Sequence, residues 1–64
     1  MTANDHTLEV LRQKIRYEMN ELADHLAGGG IKDIEEYRDV SGQIAGLAKA
    51  ERELLDLDEA MSKA

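Results

Sequence analysis

Three consecutive glycines, Gly28, Gly29 and Gly30, impose the strongest constraint on what this chain can fold into. Each glycine disfavours a helix interior by about 1 kcal/mol relative to alanine, and glycine readily takes the positive φ that ends a helix. Asp33 can cap a new helix, and Glu36, three residues later, can complete a capping box. These stop and start signals predict two helices joined by a turn at residues 28–33.

The segment before the glycines has the apolar periodicity of an α-helix. Its apolar residues recur at steps of three and four, at Leu8, Leu11, Ile15, Met19, Leu22 and Leu26. Charged and polar residues occupy most of the other positions, so one face is expected to be solvated. We predict helix 1 over about residues 5–27, capped by Asp5 or Thr7, with residues 1–7 frayed.

The segment after the turn predicts a second helix over about residues 34–61. Its stripe alternates steps of three and four, at Tyr37, Val40, Ile44, Leu47, Glu51, Leu54, Asp58 and Met61. This stripe is the seam expected to face helix 1. Two of its positions hold the charged residues Glu51 and Asp58, so its second half is not continuously apolar. At 1.5 Å per residue helix 2 would be about 42 Å long and helix 1 about 33 Å, so the second arm should project past the first.

Folding the chain back at the glycines brings together residues whose numbers sum to about 62. Each apolar position of helix 1 then meets an apolar partner, except Leu11, which faces Glu51. The same register brings Arg12 and Arg16 towards Glu51 and Glu53, where exposed ion pairs would select the register more than stabilise the fold. We therefore predict an all-α fold, a two-helix antiparallel hairpin forming a single domain over residues 1–64.

The composition indicates that such a hairpin works with a partner. The chain has 64 residues, no Cys, no Phe and no Trp, so its core must be aliphatic and has no disulfide or thiolate–metal support. Self-association or docking on a larger protein is the expected remedy. The formal charge of −6 argues against direct binding to nucleic acid or anionic membrane. No run of residues predicts a signal peptide or a membrane span.

Small residues recur at four-residue spacing inside the second helix, at Gly42, Gly46 and Ala50. They predict a flat ridge that another backbone can approach closely. Because each internal glycine costs about 1 kcal/mol against alanine, a contact is expected to offset that loss. Two alternatives remain open: the ridge packs on helix 1 of the same chain, or it contacts another subunit.

No residue pattern predicts catalysis, a metal or a cofactor. His6 and the Asp24-His25 pair are the only candidates, and no HxxxH or Cys pattern accompanies them. The glycines lack the following GK[ST] of a phosphate loop. We expect no enzyme. The run from Arg12 to Arg16 fits a solvated face better than a nucleic-acid helix, and the acidic segment 51–64 fits a solubilising face, a dock for a basic surface or a nucleic-acid mimic.

The stretch from Met19 to Asp58 resembles short proteins encoded by tailed bacteriophages. The shared pattern is an ADxLAxGG turn followed by YxxxxGxIxGLxxAERxLLDL, read here as ADHLAGGG and YRDVSGQIAGLAKAERELLDL. This resemblance implies a virion component, such as a capsid-decorating cement protein or a head–tail connector accessory, made in the host cytoplasm. The residues implied for the contact surface are Gly42, Gly46, Leu47, Ala50, Leu54, Leu55 and Leu57. The alternative function is a small acidic phage regulator that binds a host or phage enzyme.

Overall fold

A computed structural model describes residues 2–63, which form two α-helices. α1 spans Thr2–Ala27 and α2 spans Ile34–Lys63. The two helices pack against each other in antiparallel orientation, with ion pairs between them at both Glu51 and Glu36. No strand occurs among the described residues. The predicted all-α two-helix hairpin is therefore confirmed.

Both helices are longer than the sequence predicted. α1 begins at Thr2 rather than Asp5, so residues 2–7, which were expected to be frayed, belong to the helix. Asp5 and Thr7 consequently lie inside α1 and not at its cap. The physical reason is that neither Gly nor Pro precedes Gly28, so nothing ends the helix earlier. α2 continues two residues past Met61. Met1 and Ala64, both part of the predicted domain, lie outside the described residues.

The turn uses its glycines for distinct reasons. The Gly28 N–H donates to the Asp24 carbonyl at 2.8 Å, as in a continuing helix. Gly29 then takes a φ of 78°, the only positive φ recorded between residues 2 and 63. A Cβ on Gly30 would lie 2.7 Å from the His25 ring. Glycine is therefore required at position 29 by the backbone conformation, whereas a side chain at position 30 would displace the exposed His25 ring.

Asp33 caps α2 as predicted, whereas Glu36 reaches one residue further back than a capping box requires. Asp33 Oδ1 accepts the Glu36 N–H at 2.8 Å, and Glu36 Oε1 accepts the Lys32 N–H at 3.0 Å. Glu36 Oε2 lies 3.0 Å from His25 Nε2. The hydrogen bond from His25 and then that from Lys32 hold the pKa of Glu36 below its ordinary value of 4.5.

Few apolar side chains are buried in this hairpin. Within the described part of the chain, only Val40 and Leu54 are buried apolar residues. The other seam residues, such as Ile15, Met19 and Ile44, are half-buried, because a pair of helices covers each seam side chain from one direction only. The core is therefore small, as expected for a chain of this size without disulfides.

The molecule is a narrow rod of 47 × 15 × 11 Å. α1 has 26 residues and α2 has 30. At 1.5 Å per residue α2 is therefore about 6 Å longer than α1, less than the roughly 9 Å that the sequence predicted. The turn lies at one end of the rod and both termini of the described chain lie at the other.

Candidate protein-binding surface

Glu51 is a buried carboxylate between the helices, with 8% of its surface exposed. Its Oε2 lies 3.1 Å from Arg16 Nη2 and 3.6 Å from Arg12 Nε. Both Glu51 Oε2 and Arg12 Nε are buried without a hydrogen bond. The carboxylate is thus compensated in charge but not fully hydrogen-bonded, and such a group serves to select one helix register more than to add stability.

The ion pairs confirm the predicted register. Arg12 pairs with Glu51 and His25 pairs with Glu36, so the residue numbers sum to 63 and 61. Arg16 also reaches Glu51 because its side chain extends along the seam by one further turn. One contact lies beside the turn and the other near the middle of the hairpin, so the same register holds over this half of its length.

This register divides the surface into two flanks, one on each side of the seam. Successive residues of an α-helix are turned by about 100°, so Leu55 and Leu57 project to opposite sides of α2. Leu55 lines a groove together with Arg12, which places both on one flank. The Leu55 flank comprises Glu9, Arg12 and Arg16 of α1 with Tyr37, Ala48, Arg52, Leu55, Glu59 and Lys63 of α2. The Leu57 flank comprises Leu11, Lys14, Glu18 and Glu21 of α1 with Asp39, Gly46, Ala50, Glu53 and Leu57 of α2.

The glycine ridge on α2 is open. No atom lies within 4 Å of a Cβ built on Gly42 or on Gly46. Helix α1 therefore does not pack against them, which removes one of the two alternatives left by the sequence. Gly46, Ala50 and Leu57 form an exposed strip on the Leu57 flank. Contact of this strip with another subunit remains a prediction.

The residues predicted for the interface do not share one surface. Leu54 is buried and Leu47 is half-buried, so both belong to the seam of the hairpin. Leu55 and Leu57 are exposed on opposite flanks, at 43% and 51%. One flat partner surface cannot contact both. Three further apolar residues are exposed and were not included in the predicted interface: Leu11, Tyr37 and Met61. Each lies at the edge of its apolar stripe, so its position on the helix could have indicated that it is exposed.

The two flanks differ in charge. On the Leu55 flank, the cations of Arg12, Arg16, Arg52 and Lys63 are balanced by Glu9 and Glu59 and by the seam carboxylates Glu51 and Asp58, of which Asp58 lines the same groove. The Leu57 flank carries four carboxylates, on Glu18, Glu21, Asp39 and Glu53, against the single ammonium of Lys14. The first surface is nearly neutral and the second is acidic.

The two histidines lie in separate places on the hairpin. His6 is exposed, and His25 is engaged with Glu36 at the turn. The described residues contain no cluster of three or more His, Cys, Asp or Glu side chains that could hold a metal ion. Neither helix, over its described length, is long and apolar enough to cross a membrane.

Comparison with family models, with curated proteins and with solved structures gave no match for this chain.

Proposed function

We propose that this hairpin is a non-enzymatic structural protein of a tailed-phage virion, where it binds capsid or connector subunits through the Leu57 flank. The observation that carries the proposal is the open space at Gly46, which lies on one strip with Ala50 and the exposed Leu57, and at Gly42 one turn before it. Two glycines inside one helix cost about 1 kcal/mol each, and no contact within the hairpin accounts for them. Close approach of a partner backbone would offset that loss.

The strip favours a partner helix or strand that lies directly against α2. Helix axes pack 8–10 Å apart, and the smallest separations need small side chains at the contact. Leu57 would supply an apolar anchor at one end of the strip. The carboxylates of Glu18, Asp39 and Glu53 would form an acidic rim, which suits a partner with basic residues around its binding surface.

The resemblance to short phage proteins supports placing that partner in the virion. The stretch YRDVSGQIAGLAKAERELLDL includes both glycines and Leu57. A small protein with an exposed strip and a thin core is suited to decorating a larger assembly, because the assembly supplies the burial that the hairpin lacks.

Quantitative mass spectrometry of purified virions whose genome encodes this chain tests the proposal. We expect tens to hundreds of copies per particle after washing in high salt. Absence from particles, with the protein present in lysates of infected cells, would contradict it.

That second outcome would support a regulatory function instead. The specific observation in favour of a regulator is the acidic Leu57 flank, whose four carboxylates could occupy a basic groove on a host or phage enzyme. Capture by such a groove would weaken steeply with salt, whereas packing against the glycine strip would not.

A further inference from the structure

We infer that a second copy of this chain covers the Leu55 flank, so that the protein is a four-helix homodimer with both turns at the same end. This inference uses the flank opposite to the one proposed for virion binding and does not depend on that proposal.

The hairpin exposes too much surface for a chain that folds alone. Its accessible surface is 4961 Å², whereas a folded monomer of 7.1 kDa has about 4,100 Å². The excess is about 900 Å². A stable interface of standard size covers about 800 Å² on each partner. One second copy stacked on a flank of the rod therefore supplies the missing burial.

Apolar side chains suited to an interface core lie on the Leu55 flank. Leu55 and Tyr37 are about half exposed at opposite ends of the flank, and the small side chain of Ala48 lies between them. The half-buried Met19 and Ile44 border the same side of the seam. Tyrosine and leucine flanking a small residue allow two helices to approach and still fill the space between them.

Charge decides between the two flanks. In a two-fold dimer each flank meets its own image, so it must be complementary to itself. The Leu57 flank would bring its four carboxylates against the same four of the second copy. The Leu55 flank carries four cations and four carboxylates, so it is not self-repelling. The cations are Arg12, Arg16, Arg52 and Lys63, and the carboxylates are Glu9, Glu51, Asp58 and Glu59.

The direction of the two-fold axis follows from the same charges. An axis parallel to the helices places α1 of one copy over α2 of the other in the register found within each hairpin. Glu9 then faces Arg52 of the second copy, since 9 and 52 sum to 61, as His25 and Glu36 do. Arg52 is exposed and has no ion pair within the described hairpin. An axis across the helices would instead set Arg12 against Arg16 of the second copy.

Sedimentation equilibrium of the full chain at micromolar concentrations tests the dimer. We expect twice the chain mass for the wild type. Leu55→Glu should raise the dissociation constant by about tenfold or more, because it places a charge in the interface. Leu57→Glu is the matched control, with the same substitution at similar exposure on the opposite flank, and should leave the dissociation constant within about twofold. A monomeric wild type, or equal effects of the two variants, would overturn the inference.

A charge exchange tests the arrangement even if Leu55→Glu fails to fold. Glu9 and Arg52 are both exposed. Among the described residues, Glu9 makes polar contacts only with Arg12 and Gln13 of its own helix, so neither substitution removes a polar contact between α1 and α2. Glu9→Arg and Arg52→Glu should each weaken the dimer, and the double variant should restore it. Circular dichroism at matched concentration would verify the helical content of each variant. If the loss of dimer affinity in the double variant equals the sum of the losses in the two single variants, the two-fold arrangement is wrong.

Discussion

Glycine stabilises the fold at position 29 and destabilises it at position 42. Gly29 has a φ of 78°, a conformation that any side chain makes unfavourable. Gly42 has a helical backbone and open space around it. The same substitution should therefore have opposite effects at the two sites.

We expect Gly29→Ala to lower the free energy of unfolding by about 1–2 kcal/mol. Gly42→Ala should raise it by up to about 1 kcal/mol, because alanine is the better helix former. Urea unfolding followed by circular dichroism, at one fixed protein concentration, measures both. Equal effects of the two substitutions would mean that the turn does not hold Gly29 in its left-handed conformation.

Glu36 makes the turn sensitive to acid. Its folded pKa lies below 4.5 because His25 and the Lys32 N–H bind the ionised carboxylate. The stabilisation is therefore fully present above pH 4.5 and is lost as the pH falls through the lowered folded pKa. We expect the difference in unfolding free energy between the wild type and Glu36→Gln to shrink below pH 4.5. Thermal unfolding at a series of pH values measures it, and a difference that grows towards low pH would show that the carboxylate is not held in its ionised form.

At the scale of the elements, Glu51 makes the buried ion pairs between α2 and α1. Replacing both Arg12 and Arg16 by methionine would leave the buried carboxylate without a cation. We expect a loss of about 1–3 kcal/mol in stability. Adding Glu51→Leu to that pair should restore most of the loss, because an apolar seam replaces the uncompensated charge.

Chemical denaturation of the double and triple variants measures both steps. If the triple variant is no more stable than the double, then the alkyl parts of the two arginines, and not the charge pairing, stabilise this part of the seam.

The open strip of α2 predicts another separation of effects. Gly46→Leu should leave the free hairpin folded and slightly more helical, because no atom occupies the space where the side chain would go. Binding to virion subunits should weaken by about 1–3 kcal/mol through overpacking.

Lys49→Leu is the control for Gly46→Leu, because it adds the same side chain on the face of α2 turned away from α1. Helicity and affinity for purified capsid or connector subunits would be measured in parallel. If the Gly46 variant binds these subunits as tightly as the wild type, the interface does not include the strip.

The sequence predicted the elements and their pairing well because the signals for both are local. The glycines, Asp33 and the spacing of apolar residues determine where helices stop, start and face each other. The extension of α1 to Thr2 was not predicted, since no residue marks its beginning. The pair formed by His25 and Glu36 was also missed, because it depends on how the chain crosses the turn. The interface set mixed seam and surface residues, since Leu47 and Leu54 belong to the stripe that faces α1, whereas Leu55 and Leu57 lie on either side of it.

For the whole molecule, the thin core and the inferred dimer couple folding to association. Anything that binds the folded state alone stabilises it in proportion to the logarithm of its concentration, and here the ligand is a second hairpin. We expect the thermal midpoint to rise as protein concentration increases, and to do so less for Leu55→Glu than for Leu57→Glu. A midpoint independent of concentration would show that the hairpin folds alone.

Gly42 and Gly46 also allow the occupied surface to be mapped without knowledge of the partner. If both codons were randomised, selection for protease resistance of the free protein would enrich alanine, leucine and other strong helix formers at both positions. Selection for recovery in virions would return glycine wherever a neighbouring backbone excludes a side chain. The disagreement between the two enrichment profiles, extended along α2, would outline the contact at the resolution of single residues.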